Sequence, residues 1–277
     1  MTLDTKEKDI LAYTIVVLSN SLSILACILI ILIYYKAKDL RVYAFKLVVY
    51  LAILDLIKSA SMLIPTYSAT RHDFSCILQA TVYQFFTIAG FLLTLLMAIS
   101  LYSCIIQNCQ DIEKYHKVFI ILIFLASFSS TLPILIFQVW GRVNYWCWVS
   151  DQNTLLRFST FYGPLWLENC VNLYLYYKVI KKLKKEDLEI YRLRFYPLIL
   201  IGCYLPATLA RLLEACHIPA PYFLVLVTGF CDGILGLVNF TCYGFTKHVK
   251  SYVRHLLFFN KTQSRLGELQ EVNVLIK

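Results

Sequence analysis

Charge is scarce in this chain: of 277 residues only 16% are Asp, Glu, Lys or Arg, against 59% that are hydrophobic. A soluble domain carries about 25% charged and about 45–50% apolar residues. One water-soluble domain is therefore excluded, and lipid is the solvent for most of the chain. Acidic residues are the scarcer sign, 17 against 26 Lys and Arg, a formal net charge of +9. A nucleic-acid footprint needs a basic face on a folded polar domain, whereas these cations fall in short segments between apolar runs. Nucleic acid is excluded as a partner, and the excess is a topology signal. Histidine is also rare. His72, His116, His217, His248 and His255 all lie outside the apolar runs or at their edges. Hydrolysis inside a membrane needs paired histidines with a carboxylate, two facing aspartates, or Ser with His. Asp55 and Asp232 sit in no such motif, so neither an enzyme nor a metal or cofactor is expected. No internal repeat or low-complexity tract is present, which argues against an inverted-repeat transporter.

What is present is a series of seven predominantly apolar stretches, each near the roughly 20 residues that cross a bilayer: Ile10–Tyr35, Tyr43–Thr66, Cys76–Ile106, Val118–Gln138, Phe158–Ile180, Phe195–Cys216 and Tyr222–Phe245. No connector is long enough for a separate domain. The expected fold is an all-α membrane protein, a seven-transmembrane helix bundle in one domain over residues 1–259. An amphipathic eighth helix over 247–259 and a short tail over 260–277 complete it. In that eighth helix Val249, Tyr252, Val253, Leu256 and Leu257 recur opposite Lys247, Lys250, Arg254 and His255, the pattern of a helix lying on a membrane surface. Lys and Arg set the orientation. One side holds Lys36, Lys38, Arg41, Lys46, Lys114, Lys117, Lys178, Lys181, Lys182, Lys184, Lys185, Arg192, Arg194, Lys247, Lys250 and Arg254; the other holds only Lys6, Lys8, Arg71, Arg142 and Arg157. The N-terminus is expected outside the plasma membrane and the C-terminus in the cytosol. Met1 to Asp9 mixes both signs of charge, so the first helix is expected to anchor itself.

Ten cysteines are present, most inside the spans. Cys76, at the outer start of the third span, and Cys147, in the outer loop after the fourth, can join in an oxidising exterior; the alternative is two free thiols.

Local motifs add to this. Trp146-Cys147-Trp148-Val149, Arg157-Phe158 and Phe161-Tyr162-Gly163-Pro164 resemble the second outer loop and fifth helix of the slime-mould cyclic-AMP receptor family. The resemblance extends to Ala98-Ile99-Ser100-Leu101-Tyr102, Lys58, Arg211, Gly233, Asn239 and Phe240. It implies a G-protein-coupled receptor that senses an extracellular small molecule and activates a heterotrimeric G protein. The chain lacks the Asp-Arg-Tyr triplet of the third span and the Asn-Pro-x-x-Tyr run of the seventh, so it is not rhodopsin-like. The rival reading is a small transporter or channel. Against it, the ionisable groups lie mostly in the middle and outer portions of the spans.

Ionisable groups at mid-bilayer face the bundle interior or a watery cavity. Asp55 and Lys58 share a helical face three residues apart, which suits a mutual ion pair, either self-neutralising or acting as a switch. Arg211 and Glu214 repeat the spacing, and Glu168, Asn169, Asn172 and Asp232 join them in lining an outward cavity. A phosphate-bearing ligand such as a cyclic nucleotide needs a forked donor, which Arg211 and Arg157 supply; the bland reading has both arginines bridging Glu214 or Glu168. Lys58, Gln79, Tyr83 and Trp148 complete the ligand candidates, Trp148 with Trp146 either capping the cavity or anchoring at the interface. Asp55, Asp232 and Asn239, with the helix-interrupting Pro164 and Pro206, are the switch candidates. Lys181, Lys182, Lys184 and Lys185 are candidates for G-protein contact, or owe their charge to topology and anionic lipid.

Overall fold

The computed structural model describes residues 5–38, 41–66, 73–109, 111–143, 146–182, 195–244 and 249. Long helices dominate: α1 Thr5–Lys36, α2 Tyr43–Met62, α3 Phe74–Ile106 and α4 His116–Ile136. A short hairpin follows, β1 Trp140–Val143 and β2 Trp146–Val149. Next comes a continuous helical run of α5 Thr154–Arg157, a π-turn Phe158–Tyr162 and α6 Gly163–Lys182. α7 Phe195–Ala215, α8 Tyr222–Gly233 and α9 Leu235–Asn239 complete the set, with a bend of 47° between α8 and the helix after it. Packing runs α1 on α2, α2 on α3, α3 on α6, α6 on α7, α7 on α8 and α8 on α1, closing a ring, with α4 lying against α3.

The distribution of side chains is that of a protein dissolved in lipid. Leu18, Leu25, Ile121, Leu125, Leu167 and Phe223 are exposed, while Asn20, Asp55, Lys58, Gln84, Glu168, Asn172, Arg211 and Asn239 are buried. In water such an arrangement would put apolar surface outward at great cost; in hydrocarbon it is the stable one. Among the described residues, four helical segments are long and apolar enough to cross a membrane (Glu7–Lys36, Phe74–Ile106, Asp111–Ile136 and Leu198–Ala215), and the bent pair around Ile234 makes a fifth. The chain is thus a multi-pass, mostly helical membrane protein. α2 and α6 are the two long helices outside that group, because α2 carries Lys46, Asp55 and Lys58, and α6 carries Glu168, Asn169 and Asn172. The proposed helix over 247–259, except Val249, and the tail over 260–277 lie outside the described residues.

Three helices stop without glycine. Asn108, Gln138 and His217 each take positive φ, at 53°, 49° and 59°, just beyond α3, α4 and α7. The next amide then folds back onto the helix: Cys109 N donates to Ser103 O at 3.1 Å, Val139 N to Ile134 O at 3.3 Å and Ile218 N to Leu213 O at 2.9 Å. A left-handed residue after the last turn thus satisfies carbonyls that would otherwise be orphaned.

Pro164 has no N–H to give to the carbonyl four residues back, that of Thr160. This carbonyl instead accepts from Ser130 Oγ at 2.7 Å and Gln84 Nε2 at 3.3 Å. The proline is thereby accommodated by a π-turn and by side chains of α4 and α3, one of the ways membrane helices tolerate proline. Pro206 lies inside a continuous α7, and Pro133, which was not among the switch candidates, inside α4.

The bend at Ile234 docks on α1. Ser23 Oγ donates to Gly233 O at 2.5 Å, and Leu237 N donates to Ser23 Oγ at 3.2 Å. A Cβ at position 233 would fall 2.0 Å from Ser19 Oγ and 2.8 Å from Asn20 Nδ2. Gly233→Val is therefore expected to destabilise the protein by about 1–3 kcal/mol, read as a lower melting temperature of the purified protein. Ser19→Ala in the same chain should recover part of the loss; equal melting of Gly233→Val and wild type would show the seam to be loose.

Candidate functional site

At the hairpin end of the ring, Cys147 of β2 is joined to Cys76 of α3 in a disulfide with a Cα–Cα distance of 5.2 Å. The bridge expected from the two cysteines is therefore present. Gln79, one turn along α3, fastens the same strand. Its Oε1 accepts from Cys147 N at 2.7 Å and Thr66 Oγ1 at 2.8 Å, and its Nε2 donates to the carbonyls of Ser61 and Ile64. β1 and β2 pair antiparallel, with Arg142 opposite Cys147. All four residues of β2 are buried, so Trp146 and Trp148 point into protein.

Beneath the hairpin is a cavity of about 20 Å³ lined by Val16, Met62, Tyr83, Trp146, Trp148, Phe161, Tyr162, Tyr204, Ala207, Arg211, Thr228, Gly229 and Asp232. Trp148 organises its aromatic wall. Nε1 donates to Gln84 Oε1 at 2.8 Å, and the ring meets Phe161, Tyr162 and Tyr83 edge to face at centroid distances of 5.1, 5.9 and 6.5 Å. The guanidinium groups of Arg157 and Arg211 lie 5.6 and 6.0 Å from the same ring, within reach of its π-face.

Both arginines share one carboxylate. Arg211 Nη1 donates to Glu214 Oε1 and Oε2, each at 2.6 Å, and Arg157 Nη1 donates to Glu214 Oε2 at 2.9 Å. Arg157 Nε also donates to Val149 O at 2.8 Å, tying the helix to β2. Arg157 and Arg211 are only 2% and 3% exposed. Two buried cations against one carboxylate, itself 23% exposed, leave a net single positive charge, and Arg157 Nη2 and Arg211 Nε find no hydrogen-bond partner among the described residues. Tyr204 Oη and Thr228 Oγ1, both on cavity-lining residues, are likewise unmatched.

On the wall formed by α8, Asp232 Oδ1 accepts from Lys58 Nζ at 3.3 Å and Tyr83 Oη at 3.1 Å, and Lys58 Nζ also donates to Asp232 O at 3.1 Å. This corrects the expectation of an Asp55–Lys58 pair. The two share a face of α2, but Lys58 reaches across to the end of α8, where the helix break lies and where both a carboxylate and a carbonyl accept its protons. Asp55 instead accepts from Asn239 Nδ2 at 2.8 Å.

Of the residues expected to touch a ligand, the structure brings Arg211, Tyr83 and Trp148 to the cavity lining, together with Asp232. Glu214, Arg157 and Lys58 stand behind them as partners. Gln79 is engaged by the hairpin, and Glu168 bonds Thr94 Oγ1 at 3.1 Å, away from the lining. Phe161, Tyr162, Tyr204, Ala207, Thr228 and Gly229 were not among the expected contacts. Four of them were within reach of helical counting: Ala207 and Tyr204 lie four and seven residues before Arg211, and Thr228 and Gly229 lie four and three before Asp232.

Residues 3–240 match the slime mold cyclic AMP receptor family. The chain belongs to that family. Among its relatives, G-protein coupled receptor 1 of Arabidopsis thaliana is 27% identical over 267 residues, covering 86% of this chain and 79% of that protein. Cyclic AMP receptor 2 of Dictyostelium discoideum is 30% identical over 161 residues, 56% of this chain and 43% of the receptor. Cyclic AMP receptor 1 of the same organism is 26% identical over 220 residues, 74% and 56% respectively. The match to these two Dictyostelium proteins thus spans 43% and 56% of their length. Membership points to a receptor rather than an enzyme.

Proposed function

We propose that this receptor crosses the plasma membrane seven times with its N-terminus outside, takes an extracellular small molecule into the cavity beneath the hairpin, and signals to a heterotrimeric G protein. The ring of helical segments supports the count, since α2 and α6 close it with the same helical length, and the polar residues Asp55 and Lys58 of α2 and Glu168, Asn169 and Asn172 of α6 are buried inside it. The Lys and Arg imbalance supports the orientation, and a disulfide at the hairpin end suits an oxidising exterior. One observation carries the ligand reading: Arg211 borders the cavity beside an uncompensated positive charge and with an unmatched Nε. That suits a singly charged anion with several acceptors, and a cyclic nucleotide, the ligand class in the names of the relatives, has one anionic phosphodiester. A cavity of about 20 Å³ holds a water or two, far below the ~300–1,000 Å³ of ligand pockets. Ligand entry therefore requires the walls to part, and the π-turn before Pro164 and the break at Ile234 are where backbone hydrogen bonding is already interrupted.

At the other end, Lys181 and Lys182 close α6 and are exposed; Lys184 and Lys185 lie outside the described residues. Together they offer a basic surface to a G protein. The test is a G-protein dissociation assay in cells expressing the chain, with a panel of cyclic nucleotides and other small anions, and with all four lysines neutralised in parallel. A saturable response to one anion is expected, reduced by the neutralised variant at equal surface level. Silence across the panel, or ion or solute flux in vesicles, would count against the reading. Tags on the two termini should appear on opposite sides of the membrane.

A further inference from the structure

Below the cavity, six residues or about 9 Å further along the helix from Tyr162, lies a polar cluster that the ligand reading leaves unused. Glu168 is 4% exposed, and its neighbours Asn169, Asn172 and Thr94 are 1%, 2% and 2% exposed. Glu168 Oε1 accepts from Thr94 Oγ1 of α3 at 3.1 Å and from Asn172 Nδ2, one turn along α6. Both partners are neutral. No Lys, Arg or His forms an ion pair with Glu168 among the described residues, in contrast to Arg157, Arg211 and Lys58, which all have an acid. Among the described residues Glu168 Oε2 and Asn172 Oδ1 have no hydrogen-bond partner, nor has Asn169 Oδ1.

A carboxylate in this setting is unstable without a positive partner. What the cluster leaves over is acceptor oxygen: the second carboxylate oxygen, the oxygen of an amide whose Nδ2 is already turned onto the same carboxylate, and the Thr94 hydroxyl oxygen, whose proton is shared between Glu168 Oε1 and Phe91 O at 3.1 and 2.7 Å. That is a ligand set for a hard cation. Charge balance selects the valence, because one carboxylate neutralises one positive charge and a divalent ion would leave a buried excess. Among the described residues no cluster of three or more His, Cys, Asp or Glu is present to hold a transition metal or a divalent ion. We infer that Glu168, Asn172 and Thr94 form a binding site for a monovalent metal ion, of the size of Na⁺, which bridges α3 and α6 beneath the ligand cavity.

The inference is independent of the ligand's identity and is tested without it. The purified full chain is melted in NaCl, KCl and choline chloride at equal ionic strength. Na⁺ is expected to raise the wild-type melting temperature over choline by about 3–10 °C, saturably, the shift for a ligand at roughly 10–100 times its Kd in a protein of this size. Glu168→Gln, which keeps the shape and removes the charge, should lose the Na⁺ dependence, and Asn172→Ala should raise the half-maximal Na⁺ concentration about tenfold. Identical wild-type melting in the three salts overturns the inference, whatever the variants do. So does a Na⁺ effect that survives in Glu168→Gln. Salt-insensitive wild type together with a fully stable Glu168→Gln would mean that a proton, not a metal ion, neutralises the carboxyl.

Discussion

Lys58→Met is expected to lower the melting temperature of the purified receptor by roughly 6–20 °C. The lysine is 1% exposed and its partner Asp232 is 13% exposed, so the pair lies almost wholly out of water. Removing one member of a buried pair costs about 3–5 kcal/mol, because the other charge is left without compensation, and each kcal/mol shifts melting by about 2–4 °C in a protein of 150–250 residues. Tyr83 Oη still donates to Asp232 Oδ1 in the variant, which relieves only part of the penalty. The diagnostic step is the double variant. Asp232→Asn added to Lys58→Met removes the stranded charge while keeping an acceptor for Tyr83, and it should melt closer to wild type than Lys58→Met does. If the two single losses simply add, the residues are not coupled and the 3.3 Å contact carries no energy.

This pair also marks where sequence reading stops. Apolar length and Lys/Arg placement are local quantities, so long helical segments and their ends were legible; helix α3 ends at Ile106 as expected. Which charge meets which is not local. Asp55 and Lys58 share a helical face by counting, yet the choice of Asp232 over Asp55 depends on the bend at Ile234 bringing α8 to α2. The ends of α4 and α7 were legible to within two residues, expected at Gln138 and Cys216 and found at Ile136 and Ala215, but the left-handed turns at Gln138 and His217 that make them were not, because no glycine marks them. The hairpin left no period to read. Trp146-Cys147-Trp148-Val149 does not alternate, because the disulfide and α3 cover one face of β2 while the cavity aromatics take the other. For the candidate site, Arg211 and Asp232 were visible as intramembrane charges, and the apolar wall around them could have been read by stepping three, four and seven residues back.

Arg211→Ala is expected to shift the ligand's half-maximal concentration about 10- to 150-fold upward while leaving surface level near wild type. The two halves of that statement come from the two arginines having different neighbours. Arg157 holds Glu214 by itself at 2.9 Å and also holds β2 through Val149 O, so loss of Arg211 leaves Glu214 paired and the hairpin fastened. What is lost is the guanidinium at the cavity wall, and a hydrogen bond to a charged group contributes about 1.5–3 kcal/mol, which is the quoted range at 1.4 kcal/mol per tenfold. Arg157→Ala makes the control. It removes the tie to β2 and leaves Arg211 with Glu214, so it should lower melting temperature and surface level more than Arg211→Ala does, with a smaller shift in apparent affinity for the receptor that reaches the surface. A dose-response curve unmoved by Arg211→Ala would take the ligand away from this cavity wall, and equal effects of the two variants on both readouts would mean that the arginines act as one structural unit around Glu214 rather than as a contact and its support.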